Sequence, residues 1–263
     1  MQTGKIGLAV GQAIRSRNAN PGRFLQVVST FRTMGLTTKS TASMEWEASP
    51  SPTVFRKRLE LLGEKESGRV TSVVKYEKAS NFRKHPHPDG EEILVLDGVF
   101  TDEHGDWPAG TYLLNPEGFE HAPSSREGCV LFVKLKQFPG LDREHVVIDT
   151  TNTSNWEEVR NNVIQCKLYP PKDLSQRKSD GKYEETMDLF KLEAETEMKL
   201  ERIDKGLEVY VIEGDLIIGT EKYTQGDWIK FNPEDIPPEK IVTISSDKST
   251  SIYVKRNHLA ARL

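Results

Sequence analysis

Short runs of β-branched, aromatic and leucine residues dominate the chain from about residue 53 onward. Gly, Pro, Asp and Asn separate these runs and are typical of turns. The clearest runs are "RVTSVVKYE", "EEILVLDGVF", "CVLFVKLKQF", "LEVYVIEGDLIIG" and "TSIYVK". Many short strands at this spacing predict an all-β sandwich or barrel.

The strand pattern occurs twice. Two sets of glycines share spacings of 8 and 12 residues at an offset of 116, namely Gly90, Gly98, Gly110 and Gly206, Gly214, Gly226. The sequences around these glycines are also similar in the two sets. "GEEILVLDG" matches "GLEVYVIEG", and "GTYLLNP" matches "GDWIKFNP" with one inserted residue. Glycine at these places suits turns between closely packed strands. We therefore predict two β-barrel modules, at residues 45–150 and 160–263, joined near the polar stretch "DTTNTSNWEEVRNN".

The first 44 residues differ from the rest in composition. They carry six basic residues and no acidic one, and they are rich in Ser and Thr. Apolar residues between 24 and 34 fall at helical spacing, which predicts a short, partly helical N-terminal arm over 1–44. The alternative is an organellar transit peptide. The chain ends in "ARL", which is similar to a peroxisomal signal of the S-K-L type. We expect a cytoplasmic protein in preference to either targeted form.

Composition excludes several classes of partner. The formal net charge of −4 gives no general attraction to nucleic acid or to an anionic membrane. No apolar run approaches the length of a membrane span. Two cysteines, Cys129 and Cys166, exclude a disulfide framework, and no thiolate zinc motif is present. We expect no nucleic-acid or membrane partner, whereas a small-molecule ligand and a homodimer stay open.

Histidines cluster ahead of the strand "EEILVLDGVF". His85 and His87 lie two residues apart, so on a strand both side chains point to one face. Pro86 between them restricts this segment to an edge or irregular strand. The turn "PDG" follows, Glu91 opens the next strand, and His121 returns from another strand after "NPEGFE". Three imidazoles and one carboxylate are typical of a site for one divalent transition metal, with Zn, Fe, Mn and Ni all open.

Other residues compete less well for this site. Glu92 is the alternative to Glu91, because a slip of one residue exchanges the two faces of a strand. His104 lies in a turn, and His145 and His258 have no partner nearby in the sequence. We predict that these three histidines are surface residues.

The spacing of the cluster resembles the two cupin motifs. The first reads His-x-His-x3-Glu-x6-Gly from His85 to Gly98, and the second reads Gly-x5-Pro-x-Gly-x2-His from Gly110 to His121. Two positions depart from the usual motifs, because Ala79 replaces a glycine and Ser125 replaces an asparagine. Neither of those positions holds a ligand.

Residues 45–140 more closely resemble the ChrR-type cupins. These are the cupin modules of a zinc-dependent anti-sigma factor and its relatives, which include acetylacetone-cleaving dioxygenases. The resemblance implies two tandem cupin barrels of the double-stranded β-helix, jelly-roll-like kind. It also implies one metal in the first barrel, with the ligands His85, His87, Glu91 and His121.

The second module lacks the ligand residues. An offset of 116 places the four ligand positions at Glu201, Ile203, Leu207 and Pro237, or Pro238 with the insertion. No histidine occurs between 145 and 258. We therefore predict a degenerate, metal-free second barrel that contributes packing, an interface or a lid.

The resemblance implies two kinds of function. The first is a metal-dependent dioxygenase that acts on a small organic molecule, although relatives that cleave acetylacetone use three histidines without the glutamate. The alternative is a zinc-binding sensory, regulatory or structural cupin without catalysis. Direct sigma-factor inhibition is not expected, because no histidine precedes His85 and no cysteine precedes Cys129 to form the separate zinc domain of that factor.

Overall fold

The computed structural model describes residues 36–171 and 183–259, most of which lie in β-strands or in tight turns between them. The predicted all-β class is therefore confirmed. The helical pattern predicted within the arm and the C-terminal "ARL" lie outside the described residues. Within the described ranges, no helix has the length and apolar character needed to cross a membrane.

The first part of the chain forms the strands of the first module and one strand of the second. In chain order they are β1 (Thr37–Ser40), β2 (Glu47–Ala48), β3 (Val54–Leu62), β4 (Arg69–Tyr76), β5 (Ser80–Asn81), β6 (His85–His87), β7 (Glu91–Asp102), β8 (Gly105–Pro108), β9 (Thr111–Asn115), β10 (Phe119–His121), β11 (Ser124–Ser125), β12 (Cys129–Leu135) and β13 (Val146–Asp149). A 3₁₀ turn spans Thr41–Ser43.

The remaining strands belong to the second module. They are β14 (Trp156–Arg160), β15 (Val163–Tyr169), β16 (Thr186–Leu192), β17 (Thr196–Leu200), β18 (Leu207–Glu213), β19 (Asp215–Ile218), β20 (Glu221–Thr224), β21 (Asp227–Phe231), β22 (Val242–Ser246) and β23 (Thr250–Arg256). Short 3₁₀ helices span Thr153–Asn155 and Pro233–Asp235.

Each module contains one large sheet and one small sheet. The large sheet of the first module has the order β13–β9–β7–β12–β4–β3–β2, and β6 pairs with β10 as a separate two-stranded ribbon. In the second module, the sheet β1–β21–β18–β23–β16–β15–β14 accompanies the four-stranded sheet β17–β22–β19–β20. The predicted polar connection thus contributes β14, and a strand from the predicted arm, β1, completes the second module.

The repeated glycines hold equivalent backbone irregularities in the two modules, within β7 at Gly98 and between β18 and β19 at Gly214. Gly98 has a φ of 73°, and Gly214, at the matching position, has a φ of 82°. A Cβ atom at Gly98 would lie 2.2 Å from the carbonyl oxygen of Gly128, and one at Gly214 would lie 2.4 Å from that of Ser249. Positive φ and this close approach both require glycine.

The two large sheets pack face to face, and apolar side chains from most of their strands form a core between the modules. Along β7, Leu94 belongs to this intermodule core, whereas Ile93 and Val95 belong to the interior of the first module. Aromatic rings reinforce the contact, since Phe132 stacks on Tyr210 with ring centroids 4.5 Å apart. The apolar run "ILVL" therefore packs on both faces, with Ile93, Leu94 and Val95 buried and Leu96 partly buried against the intermodule core.

Two crossed ion pairs lie inside this apolar interface. Lys134 of the first module binds Glu208 of the second, and Lys255 of the second binds Glu92 of the first. All four side chains are at most 2% exposed. Glu92 and Glu208 are 116 positions apart, so the arrangement follows the sequence repeat.

Further donors satisfy the two buried carboxylates. Glu92 accepts hydrogen bonds from the hydroxyl groups of Tyr112 and Tyr253. Glu208 accepts one from the indole of Trp228 and lies 2.9 Å from Nε2 of His258. Buried charges are tolerated only when they are paired and fully hydrogen-bonded, and both carboxylates meet this condition.

The prediction that His258 is a surface residue is wrong. Its side chain is 1% exposed and lies against Glu208. Burial is the largest effect on this imidazole and, with the charges of Lys255 and Lys134, lowers its pKa to about 3 despite the opposing effect of Glu208. A neutral histidine is therefore part of the interface.

We predict that Lys134→Met destabilises the protein strongly. The substitution leaves the Glu208 carboxylate buried without its lysine, and such losses cost about 3–5 kcal/mol of unfolding free energy. Denaturant titration of both chains measures the difference. Lys78→Met is the control, because Lys78 is 72% exposed and pairs only at the surface, where ion pairs contribute little to stability. Equal effects of the two substitutions would contradict the prediction.

We also predict that His258 makes stability depend on pH. The unfolded chain protonates this histidine near pH 6.5, whereas the folded protein does so only near its pKa of about 3. Between these values the unfolded state binds more protons, so stability falls as the pH falls, by at most roughly 1.4 kcal/mol per pH unit. Denaturant titrations at several pH values with excess chelator should give a shallower dependence for His258→Gln. Parallel curves would exclude this effect.

Candidate metal centre

The ribbon β6–β10 brings the three motif histidines together. Antiparallel pairing sets His121 directly opposite His85. His85 and His87 share one face of β6, and Pro86 between them is exposed on the other. The ligand atoms of the three histidines lie within 4.8 Å of one another. Among the described residues, no separate cluster of His, Cys, Asp and Glu elsewhere in the protein is brought together in this way.

Glu91 approaches the same point from the start of β7. Its Oε2 lies 3.4 Å from Nε2 of His87 and 3.4 Å from Nε2 of His121. Asn115 is the register partner of Glu91 on β9 and donates a hydrogen bond of 3.0 Å to Oε2. The carboxylate is thereby fixed beside the two imidazoles.

The distances between these atoms fit a metal ion. Nε2 of His87 and Nε2 of His121 are 2.9 Å apart. With metal–ligand bonds of about 2.1 Å, neighbouring ligands lie roughly 3.0 Å apart in an octahedral shell and roughly 3.4 Å apart in a tetrahedral one. The separations of 2.9 and 3.4 Å agree with such shells. The three histidines can therefore hold a metal.

Hydrogen bonds at the far ring nitrogens direct two of the imidazoles. Nδ1 of His85 donates to the carbonyl oxygen of Arg83 at 2.7 Å, and Nδ1 of His121 donates to Oδ2 of Asp102 at 3.0 Å. With the proton held at Nδ1, the Nε2 lone pair is free to bind a metal. Asp102 is itself held by the indole of Trp107 at 3.1 Å.

Burial and local charge give the site residues different proton affinities. Burial lowers the pKa of His87, and the neighbouring imidazoles add to this effect. Burial would also lower the pKa of His121, but the hydrogen bond to Asp102 and the charge of Glu91 outweigh it, so that this pKa is raised. Burial opposes ionisation of Asp102, yet its hydrogen bonds to His121, the His104 backbone and Trp107 lower its pKa. Asp102 is therefore an anion beside His121.

A pocket of about 100 Å³ opens onto the cluster. All three histidines and Glu91 line it, and so does Tyr76. Most of the other walls are apolar, formed by Val54, Val74, Phe82, Phe100, Leu131, Val133 and Leu135. A metal held by the histidines would thus be accessible to a small molecule.

The competing candidates lie elsewhere. Glu92 points into the intermodule core, because neighbouring residues of a strand face opposite sides. His104 and His145 are exposed, as predicted, and each packs against the ring of Phe119. Neither belongs to the cluster of metal-binding atoms.

In the second module, the residues at the equivalent positions include core residues. Ile203 and Leu207 are fully buried in its hydrophobic core. Phe190, Ile229 and Phe231 belong to the same core. The interior of this module is therefore filled by apolar side chains.

Sequence reasoning missed Asp102, Asn115 and Tyr76. Asn115 ends the strand that pairs with the start of β7, and Asp102 ends β7 itself. Tyr76 ends β4, which pairs with β12. Cupin spacing covers none of these positions, because their contacts depend on strand register. The Asn in "NPEGFE" was the one visible sign, as a polar residue at the end of the apolar run "TYLL".

Comparison with known proteins supports the assignment of the first module to the ChrR-type cupins. The model of the family described as ChrR Cupin-like domain matches residues 35–139. No curated protein matches the sequence.

Solved structures resemble the chain over most of its length. The bacterial pirin YhhW of Escherichia coli, in complex with nickel(II), has 14% identity and a TM-score of 0.62 over 84% of this chain and 98% of that one. The protein Ylba of E. coli has 13% identity and a TM-score of 0.61 over 92% and 100% of the two chains. A mutant of salicylate 1,2-dioxygenase from Pseudoaminobacter salicylatoxidans has 11% identity and a TM-score of 0.52 over 79% and 71%. These likenesses confirm the two-module cupin fold.

We predict that Asp102→Asn weakens metal binding by about 10- to 100-fold, because a carboxylate behind a ligating histidine raises the basicity of that histidine. Competition with a chromophoric chelator for Zn²⁺ measures the affinity. Asp106→Asn is the matched control, since Asp106 is bonded to Thr101 at the surface. Equal affinities for the two variants would show that Asp102 has no role in holding the metal.

Proposed function

We propose, from the premise that residues 35–139 are a ChrR cupin-like domain, that this protein is a metal-dependent oxygenase of a small organic molecule. One divalent transition metal is bound by His85, His87, His121 and Glu91. The observation that carries the proposal is that all four side chains line one pocket. A metal that served only to stabilise the fold would not need such access.

The ligand set suits a reactive metal. Three neutral imidazoles and one carboxylate are a borderline donor set that accepts Fe, Mn, Ni or Zn. Four protein ligands leave two positions of an octahedral shell for other molecules. When bound, the metal supplies Lewis acidity and, if it is redox-active, a path for electrons to dioxygen.

The protein residues prepare the site. Asp102 keeps the proton of His121 at Nδ1, and Asn115 holds the Glu91 carboxylate in place. The apolar walls lower the local polarity, which strengthens electrostatic interactions beside them. The second module supports this arrangement through the crossed ion pairs at the interface.

The similar structures agree with this proposal. One is a pirin in complex with nickel(II), and another is a dioxygenase. They share the fold of this chain at 14% and 11% identity. A homodimer and a cytoplasmic location stay predictions.

The alternative is a cupin that holds zinc for sensing or for structure without catalysis. His87 and His121 are both almost fully buried, at 5% and 1% exposure, as in a stabilising site. The pocket gives a small molecule access to the metal position, which favours the oxygenase. The identity of the metal in native protein distinguishes the two functions.

We predict one metal ion per chain in protein purified without added metal, and its loss in His121→Ala. Elemental analysis and chelator competition should show an affinity reduced by more than about 100-fold, because removing a ligand costs more than removing its hydrogen-bond partner. His104→Ala is the control, since His104 is exposed and lies outside the cluster. Circular dichroism checks that both variants fold.

Oxygen uptake decides between the two functions. The protein loaded with Fe²⁺ should consume dioxygen with a panel of short oxo acids and diketones, and His121→Ala should not. Tightly held zinc without oxygen uptake in any metal form would favour the non-catalytic alternative. Full metal content in His121→Ala would contradict the ligand set.

A further inference from the structure

We propose that the pocket binds a short aliphatic carboxylate between the metal position and the hydroxyl group of Tyr76. This inference rests on the proposed metal site and names the class of ligand that the site accepts. Three properties of the pocket support it, namely its volume, its one free hydroxyl donor and its charge.

The volume limits the ligand to a few atoms. The pocket measures about 100 Å³, whereas an apolar cavity of about 150 Å³ admits benzene. A ligand of roughly four to six non-hydrogen atoms therefore fills it. Val54, Phe100, Leu131 and Val133 form buried apolar walls, which favour an alkyl group over a polar one.

Tyr76 provides a hydrogen-bond donor with no other use. Its side chain is buried, and its hydroxyl has no hydrogen-bond partner among the residues that the structure describes. Buried tyrosines usually find such a partner, as Tyr112 and Tyr253 do at Glu92. A phenol with its ordinary pKa of about 10 keeps its proton at neutral pH and can donate it in a hydrogen bond.

The charge of the site favours a monoanion. A divalent metal with the Glu91 carboxylate and neutral imidazoles leaves a net charge of about +1 in an apolar pocket. Arg56 at the pocket wall adds no free charge, because it binds both oxygens of Glu66 at 3.0 and 3.1 Å. The charge of Asp102 is held behind His121. One carboxylate would bind the metal, balance this charge, and accept a hydrogen bond from the Tyr76 hydroxyl group with its second oxygen.

The test uses the full chain loaded with Co²⁺, whose visible absorption reports changes in its ligands. Acetate, propionate, butyrate and benzoate are titrated as probes. Affinity should rise about three- to fourfold per methylene from acetate to butyrate. Benzoate should bind at least about tenfold more weakly than butyrate, because its ring exceeds the pocket.

Tyr76→Phe isolates the role of the hydroxyl group. It should weaken butyrate binding by about tenfold or more, as expected for a lost hydrogen bond to a charged group, and leave Co²⁺ affinity unchanged. Tyr223→Phe is the matched control, because Tyr223 lies in the hydrophobic core of the second module. Butyrate affinity in this control should equal that of the wild type.

The outcomes separate this inference from the proposed function. If the wild-type protein takes up no Co²⁺, the metal site itself fails and the inference fails with it. If Co²⁺ binds but no carboxylate changes its spectrum, or benzoate binds as well as butyrate, only the inference is overturned. Unchanged butyrate affinity in Tyr76→Phe would likewise overturn it and leave the metal site intact.

Discussion

The alternation of side chains along β7 is the constraint on which both the metal site and the module interface depend. Glu91 faces the interior of the first module and lies beside two imidazoles, whereas Glu92 faces the second module and binds Lys255. Adjacent residues of a strand must point to opposite faces. A shift of one residue would bury the wrong carboxylate on each side, so the register that builds the interface also places the candidate ligand.

The two modules share one architecture but differ in the side chains that fill their interiors. The first keeps histidines and a pocket where the second has Ile203, Leu207 and their apolar neighbours. The interface between the modules is nearly symmetric, because Glu92 and Glu208 each bind a lysine of the other module. The second module therefore stabilises the first through a large buried face without needing chemistry of its own.

Local patterns in the sequence predicted the all-β class, the repeat and the grouping of His85, His87 and His121. They succeeded because strand periodicity, turn glycines and motif spacing depend on nearby residues. They failed for His258, whose burial depends on a carboxylate 50 residues away. They could not find Asp102 or Tyr76, because strand register assigns those side chains to the site.

The pairing of strand β1 has a consequence for folding during synthesis. It pairs with β21, about 190 residues later in the chain. At typical translation speeds of about 5–20 residues per second, β1 leaves the ribosome roughly 10–40 s before its partner exists. During that interval the second large sheet is unfinished, because the strand that pairs with β1 has not been made. For that interval the nascent chain therefore carries an unpaired strand, and an unpaired strand edge is a template for association with neighbouring chains.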